Sequence, residues 1–170
     1  EIYNEKINYE DIFTYYFPDV FNLSNEETNK IIDSIFDSET VREMELCNFA
    51  YDSLKELSKD HNIYFITSRF NNKEATLESL EKNFKNLYFD VIFSSNPHVN
   101  TPGKSKGEIC KEYNIDFMIE DSKEHSIDCA EKGIKTFLLD KPWNRDHKNH
   151  ENLIKIKNWN QVIDEIQRSK

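Results

Sequence analysis

The sequence predicts an α/β protein with an open, doubly wound and mostly parallel sheet. Two observations support this fold class. After residue 60, four short apolar runs rich in aromatic and β-branched residues alternate with helical segments. Such runs lack polar alternation, as is typical of parallel strands that are covered on both faces. The first 60 residues carry only helical patterns, which predicts a small helical region ahead of the sheet.

The helical region is predicted to contain three helices. The aromatic-rich segment 9–17 stops at Pro18 and indicates a short helix. Ser24 is followed three residues later by Glu27, a capping-box signature that begins a second helix. A third helix is predicted over 47–59, with three apolar residues facing inward: Phe49, Leu54 and Leu57.

The remainder of the chain alternates strands with helices. Strands are predicted at 63–66, 91–93, 117–119 and 136–139, and helices at 72–84, 105–113 and 123–132. Gly133 stands where a helix-ending residue belongs. A last helix begins near 159, with Asn158 as its cap and Gln161 three residues on. We therefore divide the chain into a helical cap region, residues 1–48, and an α/β core domain, residues 49–170.

Composition excludes several classes of function. The 170 residues include 32 acidic and 22 basic side chains, giving a formal charge of -10, the wrong sign for gripping a nucleic acid polymer or an anionic membrane. No apolar run approaches a membrane span. The three cysteines form neither a disulfide framework nor a zinc pattern, which predicts a reducing, cytoplasmic compartment: Cys47, Cys110 and Cys129.

Polar groups follow the predicted strands, at the edge where α/β proteins place their chemistry. Thr67-Ser68-Arg69 offers hydroxyls, a guanidinium and backbone N–H groups that suit a phosphate, although hydroxyls here also cap helices. Glu120-Asp121 offers adjacent carboxylates that point opposite ways, and such oxygen ligands suit Mg²⁺. A helix cap by Asp121 or Ser122 is the alternative, and the two roles are compatible. Lys104 and Lys106 precede the third strand, where a lysine can supply fixed positive charge.

The histidines, the cysteines and the aromatic residues near the start of the chain are predicted to have structural roles rather than catalytic ones. Solvated side chains are predicted for the five histidines: His61, His98, His125, His147 and His150. Cys110 and Cys129 fall among core positions of helices, which predicts buried thiols rather than nucleophiles. An aromatic cluster near the start of the chain could stack on a base, but we favour a role in the core: Phe13, Tyr15, Tyr16 and Phe17.

A threonine after one strand, then a lysine, then an acidic pair after a later strand resembles motifs two, three and four of the haloacid dehalogenase-like hydrolase superfamily. The segments Ile66-Thr67-Ser68-Arg69, Ile119-Glu120-Asp121-Ser122 and Leu139-Asp140-Lys141-Pro142-Trp143-Asn144-Arg145 look like its 5'(3')-deoxyribonucleotidase branch. The resemblance covers nearly all of the chain. A response-regulator receiver domain is disfavoured because its acidic residues come first and its lysine last.

The resemblance implies phosphomonoester hydrolysis through an aspartyl-phosphate, with Mg²⁺ balancing charge and a small phosphorylated metabolite, such as a nucleoside monophosphate, as substrate. Thr67 would bind the transferring phosphoryl group, beside Ser68 and Arg69. Lys106, with Lys104 as runner-up, would neutralise nucleophile and phosphate. Asp121 would hold the metal, with Glu120 beside it. Residues up to about 48 would form a cap that closes over the crevice.

The family's first motif, Asp-x-Asp at the end of an apolar strand, does not occur before Thr67. Residues 2–5 are too polar and too short for that strand. In the family the strand lies mid-sheet, between the strand that ends at Thr67 and the one before Asp121. We expect the natural protein to carry roughly 10 to 20 further N-terminal residues, a strand and a turn by element size. The alternative is a catalytically inactive relative that binds a phosphorylated ligand or partner.

Overall fold

Helices and strands alternate from Ala50 to Leu139, as the sequence predicts, whereas only a short 3-10 helix over Pro142–Asn144 separates the last two strands. The computed structural model describes residues 7–36, 39, 43–69, 73–95 and 103–169. The predictions on residues 2–5 and on His98 lie outside them. The helices are α1 (Phe17–Phe21), α2 (Asn25–Phe36), α3 (Ala50–Leu57), α4 (Lys73–Phe84), α5 (Lys106–Glu112), α6 (Lys123–Glu131) and α7 (Trp159–Gln167), and the strands are β1 (Ile63–Thr67), β2 (Phe89–Phe93), β3 (Phe117–Glu120), β4 (Lys135–Leu139) and β5 (Leu153–Ile156).

In the part of the chain that the structure describes, the strands form two small parallel sheets rather than one. β1 pairs with β2, with Ile63 opposite Phe89. The second sheet has the order β3-β4-β5. The α/β class and the parallel pairing are confirmed, whereas the expected single sheet is divided between β1 and β3. β5 is an additional strand, which the sequence analysis missed.

β1 and β3 run side by side in the same direction. Near their amino ends, the ring of His61 meets the ring of Phe117 edge-on, with centroids 6.1 Å apart. Beyond their carboxyl ends, Ser68 Oγ lies 3.2 Å from His125 Nε2. The expectation that β1 is covered on both faces is wrong, because all five of its residues are only half-buried.

The start of the chain differs from the predicted helix over 9–17. A short 3-10 helix spans Tyr9–Asp11, and α1 begins at Phe17 with Pro18 in its first turn. Proline is tolerated there because the first helical N–H groups have no partner within the helix. Pro18 therefore starts a helix rather than ending one.

The other helix ends agree better with their signals. Glu27 accepts hydrogen bonds from the backbone and hydroxyl of Ser24, and Ser24 Oγ accepts from the Glu27 N–H, which confirms the capping box. Asn158 caps α7 by accepting from the Gln161 N–H, as predicted. Gly133 has a φ of 78° after α6, in the left-handed region that favours glycine at helix ends.

The described residues form three apolar clusters in the core. The largest surrounds Phe137 of β4 and Val162 of α7, both without exposed surface. A second contains Cys110 and Cys129, confirming that these thiols are buried, and a third joins α3 to α4. Leu54 and Leu57 are buried as predicted.

Phe49 corrects the inward prediction for α3. It precedes the helix with a φ of 67°, and 55% of its surface is exposed. It occupies the N-cap position of α3, where its side chain makes no capping hydrogen bond and lies outside the core.

Within the parts of the chain that the structure describes, no helix is both long enough and apolar enough to cross a membrane.

Candidate functional site

The acidic pair lies at the carboxyl end of β3, with its two side chains in different surroundings. Glu120 is buried, and its Oε2 lies 2.6 Å from Lys106 Nζ. Its Oε1 accepts the backbone N–H groups of Asp121 and Ser122, each at 3.0 Å. Both oxygens of Glu120 are thus held by the protein, which leaves Asp121 as the more available carboxylate.

The position of α5 decides which lysine meets the acidic pair. Ser105 caps this helix in a capping box with Glu108. Lys106, the first residue of the helix, turns inward to Glu120 and leaves 10% of its side chain exposed. Lys104 turns outward and pairs with Glu112 at the surface. The structure therefore places Lys106, and not Lys104, at the site.

Gly107 lets α5 approach α6 closely enough for this contact. Its N–H donates to Asp128 Oδ2 at 2.7 Å. A Cβ atom at Gly107 would lie 2.7 Å from the Asp128 carbonyl oxygen and 2.8 Å from Lys132 Cδ. Because backbone cannot yield as a side-chain tip can, the absence of a side chain at this residue helps to place Lys106.

We expect Gly107→Ala to lower the free energy of unfolding by about 1 to 3 kcal/mol, the usual cost of overpacking. Urea denaturation of the variant measures this loss. Gly133→Asn is the matched control, because Asn tolerates the left-handed backbone there and the nearest atom to a Cβ is Lys111 Nζ at 4.0 Å. Equal stability of Gly107→Ala and the wild type would show that α5 can move away at no cost.

Asp121 is held by its backbone as well as its side chain. Its carbonyl oxygen accepts from Trp143 Nε1 at 3.0 Å and from Asn144 Nδ2 at 2.8 Å. Asn144 is fully buried and also donates to the Leu139 carbonyl at the end of β4. The Tyr15 hydroxyl donates to the Asp121 carboxylate, at 3.2 Å from Oδ2.

Two of the three residues predicted at the end of β1, Ser68 and Arg69, join this cluster, whereas Thr67 ends the strand itself. Ser68 Oγ lies 3.0 Å from Ser94 Oγ and 3.2 Å from His125 Nε2. Arg69 is partly buried, and its charge interacts with Tyr15 and Asp121. Thr67 Oγ1 accepts the Arg69 N–H at 3.2 Å, within its own turn. Ser68 and Arg69 therefore lie beside the acidic pair and its helix.

His125 corrects the prediction that the histidines are solvated. It lies in the first turn of α6, whose N-cap is Ser122, and it is partly buried against Ser68. When protonated, its ring helps to lower the pKa of Glu120. The spacing of Ser122 and His125 already predicts a cap, but the contact with Ser68 depends on how the two sheets meet. The cap at Ser122 coexists with the acidic pair, as the sequence analysis allows.

The aromatic cluster is also corrected in part. Phe13 leaves 59% of its surface exposed, so it is not a core residue. Tyr15 is partly buried, but against Asp121 rather than in the apolar core. The Tyr16 hydroxyl donates to Asn25 at 2.7 Å.

Burial and charge separate the two carboxyl groups. Burial alone would raise the pKa of Glu120, but the Lys106 ammonium, the charge of His125 and the hydrogen bonds lower it to about 2. Burial and then the neighbouring Glu120 charge raise the pKa of Asp121 to about 6. The Lys106 ammonium thus stabilises the charged form of Glu120 most, and Asp121 is the carboxyl group whose pKa stays raised.

A cavity of about 660 Å³ separates the two sheets. Every residue of β3 and the first four residues of β1 line it, along with Ala50, Leu54 and Leu57 of α3. We call this cavity the slot. Trp159 also lines it, and its buried indole N–H has no hydrogen-bond partner in the part of the chain that the structure describes. Lys106, Glu120 and Asp121 lie on its wall as well.

The donor set fits a hard cation with few protein ligands. Among the described residues, no group of three or more His, Cys, Asp or Glu side chains is placed to hold a metal ion. Mg²⁺ commonly takes only one or two carboxylates and completes its shell with water and substrate phosphate. Asp121 is the carboxylate left available for this mode of binding, and Glu120 helps to hold it by accepting the Asp121 backbone N–H.

No known protein-family profile matches the chain, and no curated protein is significantly similar to it.

Proposed function

We propose that the protein is a magnesium-dependent phosphomonoester hydrolase of the haloacid dehalogenase-like type. Its substrate is a small phosphorylated metabolite, with nucleoside monophosphates as the leading candidates. The observation that carries the proposal is that Ser68 and Arg69 lie beside Lys106 and the acidic pair, which themselves line one part of the slot. Phosphoryl transfer is catalysed mainly by positioned groups and by charge around the transferring oxygens, which these groups supply.

The slot lies between β1 and β3, where one further strand would join the two sheets into a single doubly wound sheet. An extended segment lying parallel between β1 and β3 would pair with both strand edges and give the order β2-β1-segment-β3-β4-β5. Unpaired backbone groups are costly when buried, and the pairing would satisfy them. The segment's carboxyl end would then emerge between Thr67 and Asp121, where ligands bind in such sheets. We propose that this segment brings the nucleophilic aspartate.

The proposed reaction has two steps. A carboxylate oxygen of the aspartate attacks phosphorus, the bond from phosphorus to the leaving oxygen breaks, and an acidic group of the same segment protonates that oxygen. Water then hydrolyses the acyl phosphate and releases inorganic phosphate. Thr67, Ser68 and Arg69 bind the phosphoryl oxygens, and Lys106 balances negative charge. Mg²⁺ at Asp121 would neutralise phosphate charge when bound.

A phosphate-release assay tests the proposal. The protein is expressed from its natural open reading frame, so that any residues preceding Glu1 are included. It is offered a panel of nucleoside 5'-monophosphates and sugar phosphates, with Mg²⁺ or with EDTA. We expect release of inorganic phosphate that requires Mg²⁺. Hydrolysis that is equally fast in EDTA would contradict the proposal.

The same assay separates the second candidate, an inactive relative that binds a phosphorylated ligand. This candidate needs neither carboxylate of the family's first motif, and no Asp-x-Asp occurs between Glu1 and Thr67. Saturable binding of inorganic phosphate by calorimetry, together with no turnover of any substrate in the panel, would support it.

A further inference from the structure

The segment that carries Tyr15 lies across Asp121, although the two residues are 106 positions apart. The Tyr15 hydroxyl donates to both carboxylate oxygens, at 3.2 Å from Oδ2 and 3.4 Å from Oδ1. A hydroxyl shared between both oxygens stands in front of the carboxylate, on the side where an incoming cation would bind.

Trp143 contacts both Asp121 and Tyr15. Its indole N–H donates to the Asp121 carbonyl at 3.0 Å. Its ring meets the Tyr15 ring edge-on, with centroids 5.6 Å apart and an interplanar angle of 85°. Tyr9 packs on the same indole at 5.7 Å, and Arg145 forms an ion pair with Glu10. Tyr15 and Trp143 contact each other, and each also donates a hydrogen bond to Asp121, Tyr15 to its carboxylate and Trp143 to its carbonyl oxygen.

The phenol satisfies Asp121 without neutralising it. The Tyr15 hydroxyl is the donor in both contacts with the carboxylate, and a phenol that donates its proton in this way is a neutral group. A hydrogen bond from a neutral group leaves the buried negative charge in place. A divalent cation neutralises that charge, so it can displace the Tyr15 hydroxyl from the two carboxylate oxygens of Asp121.

We propose that Tyr15 is a positioning residue that occupies Asp121 in the cation-free protein and is displaced when a divalent cation binds there. The inference rests on the proposed function, because it takes Asp121 as the cation ligand. It adds that cation binding and the position of segment 9–17 are coupled. Displacement moves the Tyr15 ring on Trp143, so Trp143 reports the event.

The coupling has a definite sign. Tyr15→Phe keeps the ring contact with Trp143 but removes the hydroxyl, which leaves Asp121 unsatisfied only in the cation-free state. Destabilising the free state strengthens binding, by linkage. A hydrogen bond to a charged group is strong enough that we expect the Mg²⁺ dissociation constant to fall about tenfold.

The experiment follows Trp143 fluorescence during Mg²⁺ titration at pH 8. The chain has two tryptophans, so Trp159→Phe leaves Trp143 as the sole reporter. We expect a change in Trp143 emission that saturates with Mg²⁺, and a lower Mg²⁺ dissociation constant in Tyr15→Phe than in the parent protein. Tyr16→Phe is the matched control, because the Tyr16 hydroxyl bonds Asn25 instead, and its affinity should not change.

The outcomes separate the two claims. No saturable Mg²⁺ binding in the parent protein, by fluorescence or calorimetry, would contradict the metal site and with it the proposed function. Equal Mg²⁺ affinity in Tyr15→Phe and Tyr16→Phe would overturn the role of Tyr15 alone. Should Tyr15→Phe fail to fold, the indole N–H resonance of Trp143 in the wild type serves instead. The chemical shift of this resonance should change with Mg²⁺ until the site is saturated. An unchanged chemical shift while Mg²⁺ binds would refute the displacement of Tyr15.

Discussion

Lys106→Met is expected to lower the free energy of unfolding by about 3 to 5 kcal/mol, measured by urea denaturation. Lys106 and Glu120 are both buried, and their charged atoms are 2.6 Å apart. Methionine keeps much of the volume of the lysine stem but removes the charge, so the Glu120 carboxylate is left buried without a cation. That uncompensated charge, rather than lost packing, is the reason for the size of the effect.

Two further variants separate this cause from a general sensitivity of α5. Lys104→Met is the matched control, because the Lys104–Glu112 pair is at the surface, where such pairs add little. We expect its stability to equal that of the wild type. Adding Glu120→Gln to Lys106→Met should recover part of the loss, since the buried charge is then gone. Equal effects of the two lysine variants, or no recovery, would contradict the pairing.

Asp121→Asn is expected to slow Mg²⁺-dependent phosphate release by at least about 100-fold. A metal ion supplies several kcal/mol of transition-state stabilisation, and each 1.4 kcal/mol corresponds to a factor of ten in rate. Asparagine has the size of aspartate and can still accept the Tyr15 hydroxyl, so the fold should persist. Steady-state rates over a range of Mg²⁺ concentrations, with circular dichroism as the check on folding, provide the measurement.

Asp140→Asn is the control for this prediction. Asp140 also follows a strand of the second sheet, but its carboxylate is half exposed and pairs with Lys155 at 2.9 Å. We expect its rate to stay within about twofold of the wild type, as for surface substitutions away from a site. Equal rates in Asp121→Asn and the wild type would remove Asp121 from the metal site.

Local sequence patterns predict the parts of the site that depend on where strands end. β1 and β3 end where apolar residues give way to polar ones, at Thr67 and Glu120. Since carboxyl ends of parallel strands share one edge, the polar turns after them can be expected to meet. Helix caps at Ser24 and Asn158 are equally local, because donor and acceptor lie three residues apart.

Long-range contacts are the features that the sequence cannot predict. His125 looks like a surface residue of α6 until Ser68, 57 positions earlier, is brought against it. Tyr15 looks like one more core aromatic, because its acidic partner comes from the far half of the chain. β5 has only four residues, including Lys155, and pairing with β4 rather than its own pattern makes it a strand.

The proposal that an aspartate is the nucleophile is tested most directly by trapping the phosphoenzyme and identifying the residue that carries the phosphate. The product of the natural open reading frame is mixed with labelled substrate and Mg²⁺, quenched in acid, and the labelled peptide is sequenced by mass spectrometry. We expect a phosphate that hydroxylamine removes, carried by an aspartate of an apolar segment preceding Thr67. A hydroxylamine-resistant phosphate on Ser68 would instead make the Ser68–His125 pair the nucleophilic centre and contradict the proposal.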